Sequence, residues 1–171
     1  MQMVKKIFLG AALIWFGATV FMPKKELYYK LEEMLAKKDI RINGETIKEG
    51  LFSLDVHHPT VSVKGINIAT IEKIKLFTLL FSSEIKIQNV VLDKSLRETA
   101  PGHIEVLTLK HALLSLFGVS LDANCDFGAV EGEVNLKERK LHIDLIGAKN
   151  IQAIQSRLRQ NEKGWYYETS F

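Results

Sequence analysis

A mainly β fold with flanking helices, in which one N-terminal transmembrane helix leads into a curved antiparallel sheet, is what three features of this chain predict. An uncharged apolar run covers residues 7–22 between paired lysines. A short stripe of apolar residues at helical spacing follows it. From residue 39 onward the chain turns to short alternating runs separated by turn residues, the period-2 signature of half-buried strands.

The apolar run IFLGAALIWFGATVFM stands after Lys5 and Lys6 and before Pro23, Lys24 and Lys25. At 1.5 Å per residue it is about 24 Å long, a little short of a hydrocarbon core of ~30 Å. Lysines that extend toward the headgroups close such a gap. A cleaved signal peptide would share the basic start and apolar middle, but Val20, Phe21 and Met22 lack the small-x-small pattern of a cleavage site. The expectation is a retained signal anchor over residues 1–23. Lysines on both flanks leave its orientation open by charge alone, and the short N-terminal tail favours a domain carried on the far side.

Pro23 suits the first turn of a helix, and Leu27, Leu31, Met34 and Leu35 recur at helical spacing. Residues 24–38 are therefore expected as an amphipathic juxtamembrane helix. Its stripe, with Leu27, Tyr28, Leu31 and Leu35, is expected to pack on the domain's own sheet or, in the alternative, on a membrane surface or a partner. Residues 39–171 form the β-rich domain. Ile40 and Ile42 alternate before the turn pair Asn43-Gly44. Strands are then expected at 51–56, 61–63, 66–76, 84–92, 104–110, 119–127, 130–136, 141–146 and 165–171, with helical spacing returning only at Ile151, Ile154 and Leu158.

Two stretches look like variants of one unit. Residues 71–93 and 104–128 each read as an alternating strand, an apolar tract (77–81 and 112–117) and a second alternating strand, offset by about 33 residues. If they are stacked copies, Leu79 and Leu80 match Leu113 and Leu114 in a short helical turn that covers one sheet face. Ile85, Ile87, Val119 and Leu121 would line that face.

Composition narrows the function classes. The apolar fraction of 47% and charged fraction of 25% are those of a folded domain. Lys5 and Lys6 supply two of the three net positive charges, and the remaining charges interleave, so no long-range field draws nucleic acid. Cys125 is the only cysteine, which excludes an intramolecular disulfide. Its alternating segment marks it as a small partly buried side chain rather than a nucleophile.

No constellation for catalysis emerges. His57 and His58 are adjacent and point apart on a regular strand, while His103, His111 and His142 are scattered. HExxH, CxxC, a glycine-rich phosphate loop and GxSxG are all missing from the sequence. Glu131 and Glu133 share one face of an expected hairpin, with Asp144 near, as a solvated strand face would have them. The expectation is no enzyme, no metal and no cofactor.

The stretches YYKLEEMLAKKDI, GINIATIEKIKLFTLLFSSEIKIQNVVLD and LTLKHALLSLFGVSLDANCDFGAVEGEVNLKERKLHIDL carry a resemblance. The LL tracts at Leu79–Leu80 and Leu113–Leu114, each followed by a strand, and the closing hairpin with Gly132, Val134 and Leu136 resemble the GspN family of type II secretion and its AsmA-like relatives. The resemblance implies a bacterial inner-membrane, single-pass protein with a periplasmic β-sheet groove of AsmA-like type. It also implies, as the first functional expectation, an accessory or scaffold subunit of a secretion, type IV pilus-like or related envelope machine. The alternative is a lipid-binding or lipid-transfer module resembling AsmA-like or lipopolysaccharide-export bitopic proteins. Expected partners are membrane lipid through the anchor, other envelope-complex proteins and, in the alternative, a bound lipid. A groove lined continuously by Ile, Leu and Phe would favour lipid; a filled core with polar edges would favour the scaffold.

Overall fold

A computed structural model describes residues 2–20, 23–79, 82–96, 100–112, 117–162 and 164–171. It opens with two helices, α1 (Gln2–Val20) and α2 (Lys24–Ala36). Four short strands come next: β1 (Ile40–Asn43), β2 (Thr46–Glu49), β3 (Ser53–His57) and β4 (Thr60–Val63). Six longer ones follow: β5 (Ile66–Leu79), β6 (Ser82–Leu92), β7 (His103–Ala112), β8 (Gly118–Cys125), β9 (Gly128–Asn135) and β10 (Lys140–Ile146). Two 3-10 turns, Ile151–Ala153 and Gln155–Arg157, precede β11 (Arg159–Asn161) and β12 (Gly164–Ser170).

All the strands join one antiparallel sheet in the order β1-β4-β5-β6-β7-β8-β9-β10-β12-β11, with β3 also on β5 and β2 on β3. From β5 to β10 every strand pairs with its successor. Short connections permit most of these pairings, because antiparallel neighbours need only a tight turn between them, while β6 and β7 are joined over residues 93–102 by a connection that includes a 3-10 turn at Lys94–Leu96. The long β5 takes β4 along its first half and β3 along its second, so that Thr60 pairs Thr70 and Ser53 pairs Phe77.

Alternation sorts the sheet into two unlike faces, since successive side chains point to opposite sides and cross-strand partners share a side. One apolar row runs Ile47, Val56, Ile74, Ile87, Leu107, Ala123, Val130, Leu145, Trp165. Beside it runs a second: Leu54, Leu76, Ile85, Leu109, Leu121, Gly132, Ile143, Tyr167. Gly132 is the one gap, and a Cβ there would lie 2.7 Å from the His142 carbonyl oxygen. The opposite face carries Lys73, Lys75, Lys86, Lys110, Asp122, Glu131 and Asp144.

Two irregularities keep the apolar face continuous at its far end. Ile71, Val90, Ile104 and Cys125 form a further row although strand parity alone would send Ile71, Val90 and Ile104 to the polar side. Asn89 has φ +50°, and a register shift falls between Ile104 and Val106, so each strand turns over at that point.

The mainly antiparallel β class expected from sequence is the observed one. Two elements differ from expectation. The apolar helix is present at Gln2–Val20, but among the described residues no helix is long and apolar enough to cross a membrane. The transmembrane expectation is corrected to an apolar helix of 19 residues that starts with Gln2 and includes Lys5 and Lys6, while Phe21 and Met22 of the apolar run lie outside the described residues. The helical turn expected from residue 77 is also corrected. Phe77, Thr78 and Leu79 extend β5, because they find partners in Glu84, Ser83 and Ser82. The late helical spacing at Ile151, Ile154 and Leu158 becomes the pair of 3-10 turns.

Candidate functional site: the apolar face of the sheet

The sheet buries its apolar face under a cover at each end and at Ile71 and Val90 in the row beyond the bulge. At one end α2 packs on β1, β2 and β3, where Tyr28, Leu54 and Val56 are buried and Ile47, Ile74 and Leu76 pack around them. At the other, Ile154 and Leu158 from the 3-10 segment line a cleft with Leu145, which is buried. Between these covers Ile85, Ile87, Leu107, Leu109, Val119 and Leu121 remain partly exposed. Side chains of this type usually bury against a second layer, and an apolar strip left open marks a surface made to receive something.

A cleft opens beneath each cover. The first, about 200 Å³, lies between α2 and the sheet and is lined by Lys24, Leu27, Tyr28, Leu31, Phe52, Leu54, Leu76 and Thr78. The second, about 340 Å³, lies under the 3-10 segment; Ile104, Ala123, Cys125, Val130, Ile143 and Tyr167 are among its lining residues. Apolar side chains dominate both. Leu76 and Val130 belong to the rows that cross the open strip, so the two clefts are ends of one apolar surface.

The residues singled out by sequence fall as follows. Ile85 and Ile87 on β6 and Leu121 on β8 lie in the two central rows, and Val119 shares their face one step nearer the hairpin tips, through its pairing with His111 and, in turn, Ser83. Leu79 ends β5 and is exposed. Leu80, Leu113 and Leu114 lie outside the described residues. The two hairpins they belong to are adjacent and point the same way, since Leu79 pairs Ser82 and Ser82 pairs Ala112. In α2, Tyr28 is buried against the sheet while Leu27 and Leu31 stay exposed at the mouth of the first cleft and Leu35 is half-buried.

The electrostatics of the face are those of a dry surface. Burial pushes the Tyr28 hydroxyl up, and Glu45 and Glu32 add to the effect; among the described residues the Tyr28 Oη has no hydrogen-bond partner. Glu32 is itself raised, first by burial and then by Glu45. Burial also raises the Cys125 thiol, whose Sγ lies 3.5 Å from the Gly128 carbonyl oxygen. The strip residues Leu107 and Leu109 and the covering residues Ile154 and Leu158 carry no sequence signal beyond alternation and spacing; strand register and the shared cleft show that they address one surface.

Most ionisable side chains of the strands sit on the other face. His142 is flanked by Asp144 at 3.2 Å and Glu168 at 3.4 Å and stacks on Tyr166, all on the polar face. Among the described residues no group of three or more His, Cys, Asp or Glu side chains is placed to hold a metal ion. No protein-family model, curated protein or solved structure matches the chain.

Proposed function

We propose that this chain is a membrane-attached lipid-handling module that holds acyl chains on the apolar face of its sheet. The observation that carries this reading is the pair of central rows, whose Ile and Leu side chains stay partly exposed between two apolar clefts. An acyl chain laid across them buries methylenes at about 0.8 kcal/mol each. The uncovered face favours lipid over a purely structural role, because a filled core would have left nothing to receive a ligand. Of the two expectations drawn from the resemblance to the GspN and AsmA-like group, this reading is the alternative one, the lipid-binding module.

In this proposal α1 attaches the module to the bacterial inner membrane, with the sheet in the periplasm. Ile7, Leu9, Leu13 and Ile14 of α1 are more than 60% exposed, which is costly in water and favourable in lipid. Lys5, Lys6, Lys24 and Lys25 flank the apolar run, where their ammonium groups can reach lipid headgroups. Phe16 lies against Phe52, so the helix reaches the first cleft directly.

The test is lipid capture by the full chain in detergent. Purified protein should carry phospholipid or displace a fluorescent fatty acid, and Ile87→Glu or Leu121→Glu should reduce that capture at least tenfold, since a charge in an apolar site disfavours binding strongly. Thermal melting confirms that each variant folds. A folded variant that captures lipid as well as the parent would sink the reading.

A second reading, the scaffold subunit of an envelope machine, is favoured by one margin of the sheet. The edge strand β11 covers only Gly164 to Tyr166 of β12, so among the described strands residues 167–170 have no neighbour on their outer side. A partner strand could extend the sheet there. Cross-linking from a residue placed at Thr169 in native membranes tests it: capture of another envelope protein supports this role, and no adduct speaks against it.

A further inference from the structure

One row of the polar face of the sheet is divided by charge. This cross-strand row contains Asp55, Lys75, Lys86, Thr108, Asp122, Glu131, Asp144 and Tyr166 in order from β3 to β12. In it Lys75 stands directly opposite Lys86, and Asp122, Glu131 and Asp144 stand directly opposite one another in succession. Like charges in directly opposed positions destabilise a sheet. Mixed pairs would be the ordinary arrangement, as Lys73 and Asp55 show at 3.5 Å. Within this row β5 and β6 are basic and β8 to β10 acidic, with Thr108 on β7 at the boundary; the neighbouring row, with Glu84, Lys110, Glu133 and His142, is mixed, and its Lys110 lies 4.0 Å from Asp122.

We infer that this face docks a second copy of the chain. A two-fold axis lying along the strands between β7 and β8 places β5 over the other copy's β10 and β6 over its β9. Lys75 of each copy then meets Asp144 of the other, and Lys86 meets Glu131. Both halves are satisfied at once, which a two-fold requires and a mixed-charge face would not provide. Glu84 and Glu133, one row nearer the hairpin tips, face each other in this pairing and oppose it, so the attraction rests on the Lys75–Asp144 and Lys86–Glu131 contacts. The arrangement joins the modules back to back and leaves both apolar faces open, so it stands whether or not those faces hold lipid.

The experiment measures mass in solution for the full chain in detergent micelles, by light scattering and by energy transfer between labelled copies. A dimer should form at low ionic strength, and its Kd should rise roughly tenfold or more between ~50 mM and ~500 mM salt, as exposed charge pairs are screened. The variant K75E/K86E and the variant E131K/D144K should each be monomeric while melting as cooperatively as the parent. Mixed in equal amounts, they should associate again, because each supplies what the other now lacks. Dimers that persist in either single variant, or failure of the mixture to associate, would overturn the inference; a parent chain that is monomeric at every salt concentration would do the same.

Discussion

Leu54 and Leu121 share one apolar face but not one environment. Leu54 is 2% exposed beneath α2, whereas Leu121 lies in the open strip. Leu54→Ala should destabilise by about 2 to 5 kcal/mol, and Leu121→Ala by clearly less, because a half-exposed side chain has less surface to lose and leaves no closed cavity. Chemical denaturation of both variants measures the difference. At Cys125 burial holds the thiol above its ordinary range, so the thiolate fraction at pH 8 is low. Alkylation there should be slower in the folded chain than in denatured chain, and the gap should close on unfolding. That Cys125 faces an apolar neighbourhood was legible from its alternating segment. The face that it shares with Ile104 was not, since the bulge that brings Ile104 to that side leaves only Glu105 as a trace in sequence.

Among the elements, α2 shows how far periodicity reaches. Its start after Pro23 and its apolar stripe could be read directly, and Tyr28 does dock on the sheet. The stripe gave no reason to expect Glu32 to lie close enough to Glu45 for both carboxylates to raise Tyr28, because that proximity depends on the turn into β2. Burial and Glu45 raise Glu32 above its ordinary value, so the folded state takes up a proton more readily than the unfolded chain. The corresponding stability is present below the unfolded value and is lost as pH rises through the folded one. Glu32→Gln should therefore be the more stable protein near neutral pH and should lose that advantage in acid; thermal melts at pH 3.5 and pH 7 would check it. The strands were mostly legible because the alternation is regular from β5 to β10. The short β2 and β11, with the sequences TIKE and RQN, lack an apolar run and are strands only because Leu54 and Trp165 offer them partners.

For the molecule as a whole, sequence showed the class but not the order of layers. Alternation says that a strand has an apolar side without saying what lies over it, and here the central rows of the middle strands stay partly exposed among the described residues. Stability should accordingly be uneven. Amide hydrogens of β5 to β7, paired on both sides, should exchange slowest, while those of β11 and of the outer side of β12 should exchange fastest. Mass-resolved exchange of the full chain would measure this, and uniform protection across the sheet would contradict it.

The uninterrupted succession of neighbours from β5 to β10 has a further consequence for how the chain reaches this state. Each strand finds its partner within one hairpin of itself, so the loop-closure cost of every pairing after the first is small. Growth can proceed as a zipper from any formed hairpin, with each new strand laid on an edge already in place. An open row of backbone donors and acceptors then exists at every stage until β12 and the short β11 arrive. While the chain is being made, the growing edge is the place where a wrong neighbour would attach, and the brevity of the last strand is what finally blunts it.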